Sequence, residues 1–296
     1  MKKRSTFLIG TFSFLLVLLL MPVGHALMVF NEKMLVHNKL VGAAGIGSLG
    51  LLLLIWGFRM NEKKGTATLL GLLSGILIWT GWIEFSFVWI AEKQNVAPLI
   101  ENGEVTTKPE YLVMLSSVGL LIAFLLLFLF THNKCSFFNW FQKLAGFKKL
   151  LTSTAHNQRP LAIVTFVETI MVLWTFYIVL LLVYDKEIAG DKHPATFIVA
   201  FGSLFWSIYL YLKLIKISKF DYAIRYAIPT VVIFWNFVEV IGRWNLLEEI
   251  WIHPTQYWFE NTIIVLILVV FIAYYVYEQT LINNKQMTGN TENLIE

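Results

Sequence analysis

Charge is scarce in this sequence, and that scarcity decides its class. Only 14% of its 296 residues are charged, while 57% are hydrophobic and the mean hydropathy is +0.68. A water-soluble domain carries about 25% charged residues to cover its surface, so lipid must cover much of this chain. Cysteine is nearly absent. Cys135 stands alone, which excludes an internal disulfide and a cysteine-based metal cage. There is no phosphate-binding glycine loop, no GxSxG, no HExxH and no pair of histidines at i, i+4. The longest polar stretches, near 92–110 and 131–160, are too short for an independent folded domain. The net charge of +4 is small and scattered, so no nucleic-acid partner is expected.

Long apolar runs fill the chain instead. A helix needs about 20 mostly apolar residues to cross the hydrocarbon core, and eight stretches meet that length: roughly 7–24, 40–58, 67–91, 111–131, 161–184, 195–215, 222–244 and 257–277. Backbone in lipid must satisfy its own hydrogen bonds, and continuous apolar runs exclude barrel strands. The expectation is an all-α polytopic membrane protein of eight transmembrane helices. The start, "MKKRSTFLIGTFSFLLVLLLMPVGHA", also fits a cleavable signal peptide; the internal duplication described below favours a retained span.

Basic residues collect in alternate loops. Lys2, Lys3 and Arg4, then Arg59, Lys63 and Lys64, then Lys134 through Arg159, Lys213, Lys216 and Lys219 fall on one side, and acids such as Glu92, Glu101, Asp185 and Glu248 on the other. The positive-inside rule then puts both termini in the cytoplasm, in a plasma or inner membrane.

Two segments echo each other. "GSLGLLLLIW" begins at Gly47 and leads to Glu84; "GSLFWSIYLY" begins at Gly202 and leads to Glu239 over the same interval. Trp89 and Trp244 keep that register, and His37 and His193 miss it by one position. Two tandem four-helix halves in a parallel repeat account for this, as does chance similarity between apolar segments. The repeat implies units at 1–135 and 161–280. A cytoplasmic amphipathic linker joins them at 136–160, and a disordered cytoplasmic tail follows at 281–296. In the linker, Phe137, Trp140, Phe141, Leu144, Phe147 and Leu151 recur at helical spacing, as expected of a helix lying in the headgroup layer, with Gln142 and Lys143 largely off that face.

Carboxylates inside the spans carry the functional argument, because charge in the bilayer is expensive. Glu84 and Glu239 lie near the outer ends of the third and seventh helices, about 7–8 Å below the boundary at 1.5 Å per residue. Glu239 and Arg243 are four apart and in position to pair, whereas Val88 stands where Glu84 would need a cation. An unpaired buried carboxylate takes up a proton or recruits a cation. An interfacial carboxylate reaching toward water is the plainer reading. Glu168 lies deeper and is either a second station or a neutral buried acid. Trp82 and Trp235 flank the glutamates as candidate pocket walls, although an aromatic belt explains most tryptophans here. His37 and His193 with the two glutamates form a candidate metal site, since imidazole and carboxylate bind zinc, copper or iron.

The leading expectation is binding or transport of a small solute or cation, proton-coupled or not, between the halves near the outer face. The alternatives are a membrane-embedded enzyme on a lipid or quinone-like substrate with a Glu/His metal site, and a non-catalytic membrane subunit or sensor.

Overall fold

A computed structural model describes residues 2–35, 37–101, 104–130, 136–144, 146 and 160–292. Among these, seven helices are long and apolar enough to cross a membrane, or eight if one bent pair is counted as a span. The chain is an integral membrane protein by that measure. The helices are α1 (Lys2–Met34), α2 (Lys39–Arg59), α3 (Lys64–Ile78), α4 (Phe85–Lys93), α5 (Pro109–Leu115), α6 (Val118–Phe130), α7 (Ser136–Leu144), α8 (Leu161–Tyr184), α9 (Pro194–Leu214), α10 (Phe220–Arg243) and α11 (Trp258–Glu292). A six-residue π-helical turn, Trp79–Glu84, joins α3 to α4 into one span. A small antiparallel hairpin, β1 (Leu99–Glu101) and β2 (Glu104–Thr107), interrupts the otherwise all-α architecture in the loop before α5.

Several expected spans come out differently. The first was expected over 7–24, but α1 continues to Met34, and Leu16 and Val17 in its middle are completely buried. The residues that also fit a signal peptide are thus central to the bundle. The fourth expected span, 111–131, breaks into α5 and α6 at a 51° bend. The cause is the pair Ser116 and Ser117, whose hydroxyls donate back to the carbonyls of Val113 and Met114 at 2.7 Å and compete with the helical ladder. The backbone of α11 stays helical to Glu292, where an irregular tail was expected from 281.

The linker helix is seen over Ser136–Leu144, and most of its expected remainder lies outside the described residues. Gln142 is fully buried rather than on a polar face. Its amide donates to the carbonyls of Phe128 and Leu129, each at 3.0 Å, capping the last turn of α6.

Packing is interlocked between the chain's two halves. Helix α2 packs against α3 and α9 against α10, while α1 packs against α10 and α8 against α3. Helices α3, α8 and α10 form the centre; α2, α9 and α11 present exposed apolar side chains such as Leu52, Phe205 and Val270 to the surroundings. Without a hydrophobic drive between helices in lipid, small residues decide where they touch. A Cβ on Gly71 would meet the Ala162 carbonyl of α8 at 2.3 Å, and one on Gly81 would meet the Gly47 nitrogen of α2 at 2.4 Å. Both crossings are therefore backbone against backbone.

Candidate functional site

The π turn decides what the segment "IWTGWIEF" presents. One extra residue in a turn rotates the following side chains by about 100°, and such turns recur at functional sites. Here it leaves Trp79, Thr80 and Glu84 buried and Trp82 at the surface. Glu84 is 2% exposed, and its Oε1 has no hydrogen-bond partner among the described residues.

Glu84 lines a cavity of about 590 Å³ enclosed by α1, α3 with its π turn, α8 and α10. Its floor is apolar: Leu20, Met21, Ile76, Leu173, Phe176 and Val232. Its walls are aromatic and polar. His25 comes from α1, Trp79 from the π turn, Tyr111 from α5, Tyr177 from α8, and Trp235 and Glu239 from α10. Lys108, Asp191, Arg243, Glu249 and His253 rim it at the loop layer. The rings form a chain, with centroids 6.3 Å apart for Tyr111 and Tyr177, 5.4 Å for Trp79 and Tyr177, 6.3 Å for His25 and Trp235, and 4.9 Å for Trp235 and Trp251.

Two hydrogen-bonded groups organise the walls. The Trp235 indole donates to Glu239 Oε1 at 2.6 Å, an i, i+4 contact along α10. His25 Nε2 stands 3.6 Å from the same oxygen and 3.2 Å from the Tyr177 hydroxyl. Asn236, 2% exposed, also lines the cavity, and its Nδ2 has no partner among the described residues.

At the rim, Arg243 Nε donates to Asp191 Oδ1 at 2.5 Å, and its guanidinium sits 4.2 Å over the Tyr184 ring. The sequence put that guanidinium four residues from Glu239; the loop before α9 supplies Asp191 as a partner. Lys108 Nζ is 3.8 Å from Glu110. Glu249, in the loop after α10, has its carboxyl pushed up to about 8, by burial first and by the Glu239 charge second, with Arg243 opposing.

Of the residues singled out from the sequence, Glu84, Glu239, Arg243 and Trp235 meet at this cavity. Glu168, although buried, is not among the residues lining it. Trp82 is 39% exposed and faces away, its indole 3.4 Å from the Ala44 carbonyl and its ring against Gly47. His37 and His193 are exposed and do not line the cavity; His193 Nδ1 accepts from the Ala195 amide at the start of α9. The described residues contain no group of three or more His, Cys, Asp or Glu placed to hold a metal ion. With His253 at the rim, the histidine in the cavity wall is His25. Sequence reasoning passed over it, and over Tyr111, Tyr177 and Asn236, because each is a lone polar side chain in an apolar run with no spacing partner. Only helix packing joins them.

Comparison with protein-family models, with curated proteins and with solved structures returns no match for this chain.

Proposed function

We propose that this membrane protein binds a small solute or cation in the cavity between its two halves, with Glu84 and Glu239 as the principal acceptors. One observation carries the reading: two carboxylates from separate helices line a single cavity, and one of them, Glu84, is 2% exposed with its Oε1 lacking a hydrogen-bond partner among the described residues. A volume of about 590 Å³ falls in the range of small-molecule sites, about 300–1,000 Å³. Burying a carboxylate costs several kcal/mol unless a partner compensates, and a bound solute supplies that partner.

The repeat proposed from the sequence draws support from the helices. Helices α2 and α9 both contain 21 residues, and their starts, Lys39 and Pro194, are separated by the same interval as Glu84 and Glu239. The exchange of first and third helices between halves, α1 on α10 and α8 on α3, fits a pseudo-two-fold arrangement. Gly47 and Gly202 weaken it: Gly47 is packed beneath Trp82, whereas nothing lies near Gly202. The site then lies on the acidic-loop side. On the positive-inside reading that is the outer face of a plasma or inner membrane, with both termini in the cytoplasm.

Transport would extend binding. The cavity ends at Leu20, Ile76 and Leu173, so passage needs a second conformation that opens toward Glu168 and the basic loops. The enzyme reading has one observation of its own: His25 stands between Tyr177 and Glu239 and lines the cavity, the position of an acid–base group.

The test is a thermal-midpoint screen of the purified full chain in lipid nanodiscs against inorganic cations and small neutral, cationic and anionic solutes. A ligand of the folded state raises the midpoint in proportion to ln(1 + [L]/Kd). At least one solute should stabilise the native chain, and the Glu84→Gln/Glu239→Gln double variant should lose that response. A panel that shifts neither protein, or both equally, contradicts the proposal.

A further inference from the structure

We infer that the cavity is a receptor for the substituted ammonium group of a small organic cation, a step that rests on the solute-binding reading above.

The deep part of the cavity supplies carboxyl groups and aromatic faces. Glu84 and Glu239 are its carboxylates, and Trp79, Tyr177, Tyr111 and Trp235 are its rings. The two cations lining the cavity are at the rim, each beside a carboxylate: Arg243 on Asp191 at 2.5 Å and Lys108 near Glu110 at 3.8 Å. An anionic solute would meet carboxylates where it needs donors. A bare metal ion fits poorly too. Calcium wants six to eight oxygens and magnesium near-octahedral oxygen geometry, whereas this lining is mostly carbon, and the described residues offer no three-ligand cluster. An alkylated ammonium matches both features. Its charge is diffuse and weakly hydrated, aromatic faces within about 6 Å attract it, and rings of this kind form the cages that hold quaternary ammonium ligands.

Several buried groups of the cavity wall lack a hydrogen-bond partner among the described residues, the Trp79 indole N–H, Glu84 Oε1 and Asn236 Nδ2 among them, and they point to an absent partner. Glu84 Oε1 is a buried acceptor and Asn236 Nδ2 a buried donor, each on a side chain 2% exposed, and both residues line this cavity. Buried polar groups are nearly always satisfied. A solute carrying an ammonium group and a nearby hydroxyl or ether oxygen would satisfy both. The apolar floor of Leu20, Met21, Ile76 and Leu173 then accepts its hydrocarbon part. The same headgroup chemistry occurs on free amines and on lipids.

The experiment titrates the full chain, in phosphatidylglycerol nanodiscs, with choline and with 3,3-dimethylbutan-1-ol, the uncharged isostere, reading tryptophan fluorescence and thermal midpoint. Choline should saturate, and the isostere should bind about tenfold more weakly or worse. Glu84→Gln should weaken choline about tenfold, the scale of one short-range charge–charge contact with an ammonium that carries no N–H, and leave the isostere unchanged. Comparing two probes on the native chain keeps the test valid if a variant fails to fold. Equal binding of the two probes, or no response to choline, overturns the ammonium assignment. If uncharged solutes bind in its place, the solute-binding reading survives; if no solute of any class binds, both fall. Repeating the titration in phosphatidylcholine separates sources that both uphold the inference: loss of the choline response marks a lipid headgroup as the occupant, and an unchanged response marks a free solute.

Discussion

His25 Nε2 stands 3.6 Å from Glu239 Oε1, joining α1 to α10 across the wall of one cavity. The same carboxylate oxygen accepts the Trp235 indole at 2.6 Å. A neutral imidazole nitrogen either donates or accepts, so Nε2 serves Glu239 or the Tyr177 hydroxyl as donor or acceptor, never in both roles at once.

Glu239 accepts from the Trp235 indole, and its replacements should separate. Glu239→Gln keeps a side-chain carbonyl for the Trp235 indole and should hold the thermal midpoint near the native value. Glu239→Leu leaves that buried N–H unpaired and should destabilise by about 1–3 kcal/mol. Equal midpoints for the two variants would show that the Trp235 bond contributes nothing.

Backbone-to-backbone crossings make a second, independent prediction. Gly71→Ala places a methyl 2.3 Å from the Ala162 carbonyl and 2.9 Å from its Cα, so α3 and α8 must separate, at about 1–3 kcal/mol. Gly119→Ala, in α6 with nothing within 4 Å, should be neutral or gain up to about 1 kcal/mol from helix propensity. Thermal unfolding of both variants in one detergent checks the ordering.

How far the sequence anticipates this depends on periodicity and length. The lipid-crossing helices were legible because 20-residue apolar runs have few other fates, and seven of the expected stretches coincide with helices that pass the span criteria. Glu84, Glu239, Arg243 and Trp235 were legible because charge and indole stand out against Leu and Val. The π turn was not, since no residue pattern distinguishes Trp79–Glu84 from ordinary helix, and with it went the direction of Trp82. His25 and Tyr177 were illegible for a different reason. Their significance comes from α1 crossing α8 and α10, a long-range relation that local spacing does not encode. The Arg243–Asp191 pair was illegible because i, i+4 arithmetic cannot see a carboxylate in a neighbouring loop.

Glu249 gives a pH dependence of stability. Burial and the Glu239 charge raise its folded-state value to about 8, above its ordinary value of 4.5. Between these values the folded chain binds more protons than the unfolded chain, so stability falls as pH rises from about 4.5 to 8 and then levels. The Glu249→Gln variant should lack this component. The difference in thermal midpoint, variant minus native, should grow from pH 5 to pH 8; a constant difference would contradict the assignment.

Trp82 and Trp235 should respond oppositely to truncation. Trp235→Leu removes a cavity wall and the bond to Glu239, and should weaken any cavity ligand about tenfold. Trp82→Leu changes a ring 39% exposed on the far side of the π turn, and should leave ligand affinity within about twofold. Titration of one stabilising solute against both variants reads the contrast.

The shared cavity itself is tested most directly by cross-linking. In a Cys135→Ser background, Glu84→Cys/Glu239→Cys and Trp82→Cys/Glu239→Cys are treated with a short bifunctional thiol reagent in native-like membranes. The first pair should cross-link readily and be protected by a bound solute, and the second should not cross-link. Efficient coupling of the Trp82 pair, with none for the Glu84 pair, would contradict a single site holding both carboxylates.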